Sequence, residues 1–383
     1  MFNNDILIVV KIGIDARLIR ETGVGRYIQN LISQLSEIDE KNDYTLFVKS
    51  QDQENFKSQI SNLKWKIAIA DIPWHSIKEQ VQFTEILNRE KLDLVHFPYF
   101  SVPISYNRPF VITIHDLILH HYPTGKASTL PFPFYVLKVI GYKYLIRKAS
   151  ENAKKVIAVS KSTKDEIIDH LKIPQDKIKV IYEGVDPAFR NQRPESSLRI
   201  TKRYELNANH YFLFVGNVYP HKNAERMIKA FNIFSQYFPK TSLIFVGKDD
   251  FFYKRLKEKV RKMEIGEKII FYGKTSDKEL GALYRGSIAV IVPSFMEGFG
   301  LPALEAMANK CLVLASDIKA IKEICGQDAL YFDPYDENEM AEKMKIAYQK
   351  DFDQKILENG FERSKQFSFR KMAKETLKIY ETL

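Results

Sequence analysis

Four ionisable side chains stand where an alternating strand–helix chain can do chemistry: His115, Lys222, Glu297 and Glu305. The last two lie in the run Pro293-Ser294-Phe295-Met296-Glu297-Gly298-Phe299-Gly300-Leu301-Pro302-Ala303-Leu304-Glu305-Ala306-Met307-Ala308, with seven residues between the glutamates. An apolar stretch, Ile288 to Val292, leads into it, and Gly298 and Gly300 make a bend. Pro302 falls near the first turn of a helix, where its missing N–H costs nothing. The order is strand, glycine-rich loop, helix N-terminus, and such a terminus points N–H groups and a positive dipole end at an anion. The backbone of Gly298, Phe299, Gly300 and Leu301 is therefore a candidate cradle for an anion. Glu297 can accept hydrogen bonds from sugar hydroxyls beside the loop, and Glu305, a turn deeper, can reach a ribose. A plain turn followed by a solvated helix glutamate would use the same residue types.

Lys222 lies in Gly216-Asn217-Val218-Tyr219-Pro220-His221-Lys222-Asn223, after an apolar run and before a helix. A lysine at that end of a strand suits a diphosphate and would stabilise charge developing on a leaving group. The alternative is a surface lysine. His115-Asp116 follows the apolar run Val111–Ile114. His115 can hydrogen-bond a substrate hydroxyl with Asp116 orienting it, or it can be a satisfied structural histidine. His120 and His121, just beyond, have a weaker claim. Thr22-Gly23-Val24-Gly25-Arg26-Tyr27 precedes a helix, so its backbone could approach a phosphate or sugar closely, or simply turn. It is not a dinucleotide fingerprint, because Ile28 stands where a third glycine is needed. The one Asp-x-Asp, Asp351-Phe352-Asp353, falls at a helix start, where capping explains it better than a metal does.

These positions need strands that end at them. The first half predicts strands at Ile12–Asp15, Thr45–Val48, Ile67–Ala70, Leu94–Phe97, Val111–Ile114, Val156–Val159 and Ile178–Tyr182. Helical patterns lie between, such as Arg26 to Ile38 with Ile28, Leu31, Ile32 and Leu35 on one stripe. The second half restarts the rhythm at Phe212–Val215, Leu243–Val246, Lys268–Phe271, Ile288–Val292, Leu312–Ala315 and Leu330–Phe332. Such alternation argues an α/β chain of parallel sheets covered by helices, with ligands bound beyond the carboxyl ends of the strands. Residues 1–190 read as one Rossmann-like domain, the proline- and serine-bearing stretch 191–200 as a linker, and 201–365 as a second such domain. Residues 366–383 read as a closing helix.

The run with its two spaced glutamates resembles the E-x7-E signature of family 4 glycosyltransferases, and the likeness extends along nearly the whole chain. It implies the GT-B fold, in which two Rossmann-like domains face each other across a cleft and the last helix crosses back to the first domain. It implies retaining transfer of a sugar from a nucleotide-sugar donor, with no metal and no bound cofactor. Glu297, Lys222 and His115 then carry the catalytic roles, His115 by contact with the donor sugar. Gly23, Val24, Asn217, His221, Gly298 to Leu301 and Glu305 join Lys222 in holding the donor, and Gly25, Arg26 and Asp116 face the acceptor. Asp15-Ala16-Arg17 matches a common family opening, and Gly273-Lys274-Thr275-Ser276-Asp277 looks like the loop near the nucleotide base. The chain departs from the family's Gly-x-x-x-Pro-Arg-Lys-Asn: His221 stands where arginine is usual, and Asn217 occupies a site that is arginine in some branches. Lys222 is then the clear cation of the diphosphate clamp. The branch is similar to bacterial mannosyl- and rhamnosyltransferases of surface-polysaccharide assembly, which points to GDP-mannose and a glycan or lipid-linked acceptor.

A chain of 383 residues with 45% hydrophobic content has ample length for two cores. No apolar run approaches the roughly 20 residues of a spanning helix. The first ten residues lack the marks of a signal peptide, and Lys11-Ile12-Gly13-Ile14-Asp15 reads like a family N-terminus. Two cysteines, Cys311 and Cys325, suggest a reducing compartment. Together these predict a cytoplasmic protein. The net charge of +10 suggests anionic partners. It concentrates between Lys126 and Lys161, with eight basic residues against Glu151 alone, interleaved with Phe132, Phe134, Tyr135, Tyr142 and Tyr144. A helix there, Phe134 to Lys148, could lie on the anionic inner face of a membrane, or be an ordinary helix with solvated lysines. Nucleic acid is not an expected partner, because no motif for it is present. A UDP-sugar donor, a catalytically silent scaffold and a nucleic-acid binder are the competing readings.

Overall fold

The computed structural model describes residues 9–54, 56, 65–74, 76–123, 132–185, 189 and 210–383. The linker expected at 191–200 and the Lys126 end of the basic segment lie outside the described residues.

The chain divides into two compact units. One holds the described residues to Glu183 together with Phe369–Leu383, and the other runs from Gly184 to Ser368. The first unit contains β1 (Lys11–Asp15), α1 (Gly23–Ile38), β2 (Asp43–Val48), β3 (Trp65–Ile69), β4 (Leu94–Phe97), β5 (Phe110–Ile114), α2 (Phe132–Asn152), β6 (Lys155–Ala158), α3 (Lys161–Glu166) and β7 (Ile178–Val180). Its sheet has the order β3-β2-β1-β4-β5-β6-β7, with every pairing parallel. The second unit contains β8 (Tyr211–Val215), α4 (Ala224–Tyr237), β9 (Ser242–Val246), β10 (Ile269–Gly273), β11 (Ala289–Val292), α5 (Leu301–Ala308), β12 (Val313–Ser316) and β13 (Leu330–Phe332). Its sheet has the order β10-β9-β8-β11-β12-β13, again all parallel. Both sheets are doubly wound. The chain works outward from a central strand, then returns to its other side, reversing between β1 and β4 in one unit and between β8 and β11 in the other.

All thirteen strands fall within two residues of the apolar runs that predict them. A parallel strand covered on both faces must be apolar nearly throughout, and β4, β5, β11 and β12 are buried along their whole length. The last helix, α6 (Phe369–Glu381), belongs to the first unit, where Phe369, Met372, Ala373, Ile379 and Tyr380 pack with Tyr27, Ile28, Leu31 and Leu35 of α1.

One expectation is corrected. The glycine-rich stretch after β1 is not a loop ahead of a helix: α1 begins at Gly23, so Gly23, Val24 and Gly25 form its first turn. Gly25 permits this. A Cβ there would lie 2.3 Å from the Ile19 carbonyl oxygen, so only glycine lets the first turn press against the preceding backbone. Val24 packs on the core, and Arg26 is half-buried within the helix.

Candidate active site

In the second unit the chemistry gathers at the carboxyl ends of β8 and β11, the two strands between which the strand order reverses. An open parallel sheet forms its binding crevice at such a point. After β8, a single turn of 3-10 helix, Pro220–Lys222, ends on Asn223 in the left-handed region, φ 57°. Asparagine tolerates that conformation. The Asn223 amide is buried and donates to the carbonyls of Pro293 (2.9 Å) and Pro334 (2.8 Å). The Phe295 N–H donates to the His221 carbonyl at 2.8 Å. These bonds stitch the loop after β8 to the loop after β11 and to the chain leaving β13.

The stitching brings Lys222 and Glu297 together. Lys222 Nζ donates to both carboxylate oxygens of Glu297, at 2.7 and 2.8 Å, and the Ser294 hydroxyl donates to Glu297 Oε1 at 2.6 Å. Burial pushes the Glu297 carboxyl up, but the Lys222 charge and hydrogen bonds, helped by Ser294, outweigh it and hold the group below the usual carboxylate range. The sequence suggests separate tasks for these two residues; the structure makes them one bidentate ion pair. His221 is not a second cation. Burial and the adjacent Lys222 charge push its ring down to about 3, against the pull of Glu297, so it is neutral at pH 7. Asn217 is half-buried, and Gly216 takes φ 144° at the end of β8.

Beyond Glu297 the chain enters α5. Gly300 precedes the helix at φ 99°, and a Cβ there would lie 2.5 Å from Ile321 Cδ1. Strain and crowding both select glycine at this point. No side chain caps α5, and its first turn holds no acidic residue, so the terminus keeps its positive character. The Phe299 ring is buried edge-on against Phe367, which leaves only its backbone for a ligand. Gly298 is buried, and Leu301 is half-buried at the start of the helix. Glu305 is not a solvated helix residue: it is 3% exposed and accepts a hydrogen bond from the Tyr284 hydroxyl at 2.9 Å. Asp353 accepts from the Lys355 N–H at 2.9 Å in a local turn just ahead of the helix Lys355–Ser364; the N-cap position itself falls to Gln354, whose side chain makes no capping bond, so the expected cap is not formed.

In the first unit, His115 follows β5 as expected, but its partners differ from the expected ones. Nδ1 lies 3.1 Å from Glu183 and Nε2 3.0 Å from the Pro98 carbonyl. Both neighbours are acceptors, so both ring nitrogens must donate. Burial alone would lower the pKa of the ring. The Glu183 hydrogen bond and charge, the Pro98 carbonyl and Asp116 outweigh it and raise the pKa above 6.5. Glu183 rather than Asp116 orients the histidine; Asp116 Oδ1 accepts from the Ile118 N–H at 3.0 Å and shapes the next turn. Tyr27 of α1 meets the His115 ring edge-on, with centroids 4.9 Å apart. The Tyr27 hydroxyl lies 3.1 Å from Thr113, which lies 2.8 Å from His96 Nε2, and His96 Nδ1 lies 2.5 Å from the Tyr380 hydroxyl. Burial holds His96 neutral, with its pKa pushed down to about 3. This buried chain ties α6 to the strands that carry His115. At the end of β1, the buried Arg17 holds Asp15 with two hydrogen bonds (2.8 and 2.7 Å) and Glu79 with one (2.7 Å), and lies over the Phe83 ring.

Sequence reasoning missed Glu183, Ser294, Tyr284, Tyr27 and His96. Glu183 alone left a signal, a carboxylate following an apolar run. Its second oxygen, Oε2, is buried and has no hydrogen-bond partner among the described residues.

Two doubly wound units in one chain, with a lysine–glutamate pair at the switch point of one and a glycine-led helix after it, define a protein of two Rossmann-like units whose second carries a candidate anion site. The model of Glycosyltransferase Family 4 matches residues 22–189, and that of Glycosyl transferases group 1 matches residues 199–363. The chain belongs to this family of glycosyltransferases and is a hexosyltransferase of GT-B fold. Among its relatives is the O-antigen chain mannosyltransferase RfbU of Salmonella typhimurium, 28% identical over 75% of this chain and 73% of its own. The O-antigen chain mannosyltransferase B of Escherichia coli is 25% identical over 94% of this chain and 96% of its own. Among solved structures, Anabaena HepE in complex with UDP and glucose superposes with a TM-score of 0.75 at 17% identity, covering 98% of this chain and all of its own. A Rickettsia africae glycosyltransferase gives 0.74 at 21%, with 98% of each chain covered. Among the described residues, no helix is long and apolar enough to cross a membrane.

Proposed function

We propose that this enzyme moves mannose from GDP-mannose to a hydroxyl of a glycan or lipid-linked acceptor in surface-polysaccharide or lipopolysaccharide assembly, with retention of configuration. The Lys222–Glu297 pair at the switch point of the second sheet is the observation that carries the site assignment. Lys222 has three N–H donors and gives two to Glu297, so one remains for a donor phosphate. The N-terminus of α5 faces the same charge with its dipole. Glu297 accepts from hydroxyls of the donor sugar, and Glu305 with Tyr284 anchors the ribose. In the transfer step the bond from the anomeric carbon to the diphosphate oxygen breaks, the acceptor oxygen bonds that carbon, and the acceptor's proton passes to the leaving diphosphate. Lys222 stabilises the charge on that leaving group. No protein nucleophile and no metal take part. His115 is held at the carboxyl end of β5 by Glu183 and the Pro98 carbonyl, which engage both ring nitrogens. The choice of mannose rests on the relatives, whose names specify mannosyl transfer.

The same proposal seats the enzyme on an anionic membrane face through α2. Phe134, Leu137, Ile140 and Tyr144 follow one another at helical spacing and are exposed, and Lys138, Lys143 and Arg147 are exposed beside them. Tyr135, Tyr142 and Ile146 fill the opposite face and are buried.

Calorimetric titration with GDP, UDP, ADP and dTDP tests the donor site, with Glu305→Ala as control. Micromolar binding of GDP alone, lost in the variant, is the expected result. Preference for UDP would overturn the choice of donor, and binding of none would overturn the site.

A further inference from the structure

We propose that the first unit carries a divalent transition-metal site, separate from the transfer chemistry, built from His121, Glu166 and His170. His121 closes the short helix Ile118–His121 that follows His115, while Glu166 ends α3 and His170 lies one turn further along the same rod. The three ligand atoms lie within 4.8 Å of one another. Nε2 of His170 is 3.3 Å from Glu166 Oε2, and Nε2 of His121 hydrogen-bonds the same oxygen. Both imidazoles thus aim one nitrogen at the same carboxylate oxygen, which brings the three donor atoms within reach of one ion. In a tetrahedral zinc site with ligand distances of about 2.0–2.1 Å, neighbouring donor atoms are roughly 3.3–3.4 Å apart. The His170–Glu166 separation already matches such an edge, and a small swing of His121 would open the second.

Local backbone structure supports the placement. After Glu166 the helix widens into a π-turn, Ile167–Leu171, which contains His170 and ends on Lys172 at φ 59°. Single π-turns inside helices recur at functional sites. The His121 and His170 rings meet edge-on with centroids 4.7 Å apart, which holds both nitrogens in register. The three side chains are 29–39% exposed, so an ion can enter and a water can complete the shell. His120 stays outside the set, because its Nδ1 engages the Tyr142 hydroxyl at 3.1 Å.

Two imidazoles and one carboxylate suit Zn2+, and Co2+ as its spectroscopic substitute. In the metal-free state the two imidazoles share the carboxylate through protons. The metal displaces those protons and binds the nitrogen lone pairs. Its effect is to fasten the segment after β5, which begins at His115, to the helix after β6.

The test uses the untagged full chain stripped with a chelator. Calorimetric titration with ZnSO4 is expected to show one site per chain at micromolar affinity or tighter. His170→Ala and Glu166→Gln should each weaken it at least 100-fold while the circular dichroism spectrum stays unchanged. His210→Gln, in the other unit, should leave it intact. Co2+ loading should give the intense visible bands of a tetrahedral site. Absence of binding, binding that survives His121→Ala and His170→Ala together, or a pale octahedral cobalt spectrum would each overturn the site.

Discussion

Lys222 and Glu297 form one ion pair, so their substitutions are expected to act in opposite directions on nucleotide binding. Nζ keeps one donor beyond the two spent on Glu297, and that donor is the proposed phosphate contact. A charge-assisted hydrogen bond contributes about 1.5–3 kcal/mol. At about 1.4 kcal/mol per decade, Lys222→Met should weaken nucleoside-diphosphate binding roughly 10- to 150-fold. Glu297→Gln removes a carboxylate that repels the incoming phosphate. At a separation of about 7 Å and an effective dielectric of about 20, that repulsion is roughly 2 kcal/mol. Glu297→Gln should therefore hold or tighten diphosphate binding, by up to about 30-fold, while transfer to the acceptor collapses because the donor sugar has lost a charged acceptor and one of its two oxygens becomes an N–H donor. Calorimetry of both variants and their double, beside a transfer assay, reads the two effects separately. The double variant should bind more tightly than Lys222→Met alone, because the carboxylate left unpaired by the loss of Lys222 is then gone as well. If Glu297→Gln weakened binding as much as Lys222→Met, the two residues would not be competing for one charge, and the reasoning would fail.

Tyr380→Phe removes the partner of His96 Nδ1 in a fully buried network. A loss of about 1–3 kcal/mol in stability is expected from urea unfolding, with a shift confined to the midpoint. His115 has a raised pKa in the folded state, so its pairing with Glu183 contributes stability that is complete below about pH 6.5 and fades as pH rises through the folded value. The stability gap between wild type and His115→Gln should accordingly narrow above that pH; a gap that is flat from pH 5 to 9 would contradict the charged pairing. Leu137→Ser with Ile140→Ser takes two side chains, 66% and 60% exposed, off the outer face of α2. At about 1.5–3 kcal/mol for each fully buried side chain, two partly buried ones should together cost at least 2 kcal/mol, or roughly 30-fold in affinity for phosphatidylglycerol vesicles. Equal sedimentation of the variant and wild type with vesicles would remove the membrane proposal.

Local sequence determined a great deal here. The inner strands of both sheets are apolar runs, because a strand buried on both faces has no polar face to show, and β4 or β11 can be read without any knowledge of its neighbours. The same rule placed His115, Lys222 and Glu297 at the ends of strands, and Gly300 at a bend that only glycine tolerates. Pairings at long range were not legible. Lys222 and Glu297 are 75 residues apart, and His115 and Glu183 are 68 apart. Nothing in either segment says which carboxylate the cation will meet, since that follows from which strands lie side by side. Asp116, adjacent in sequence, looked like the orienting group for His115, yet its carboxylate turns to its own backbone and leaves the role to Glu183. The glycine-rich stretch after β1 looked like a loop, but a first helical turn also needs glycine when backbone presses on it from behind, and only the packed structure shows the Ile19 carbonyl there. The identities of the elements and the positions of the reactive groups were thus fixed by local pattern. The partners of those groups, and with them charge and protonation, were decided by strand order, because electrostatic coupling depends on distance through space rather than distance along the chain.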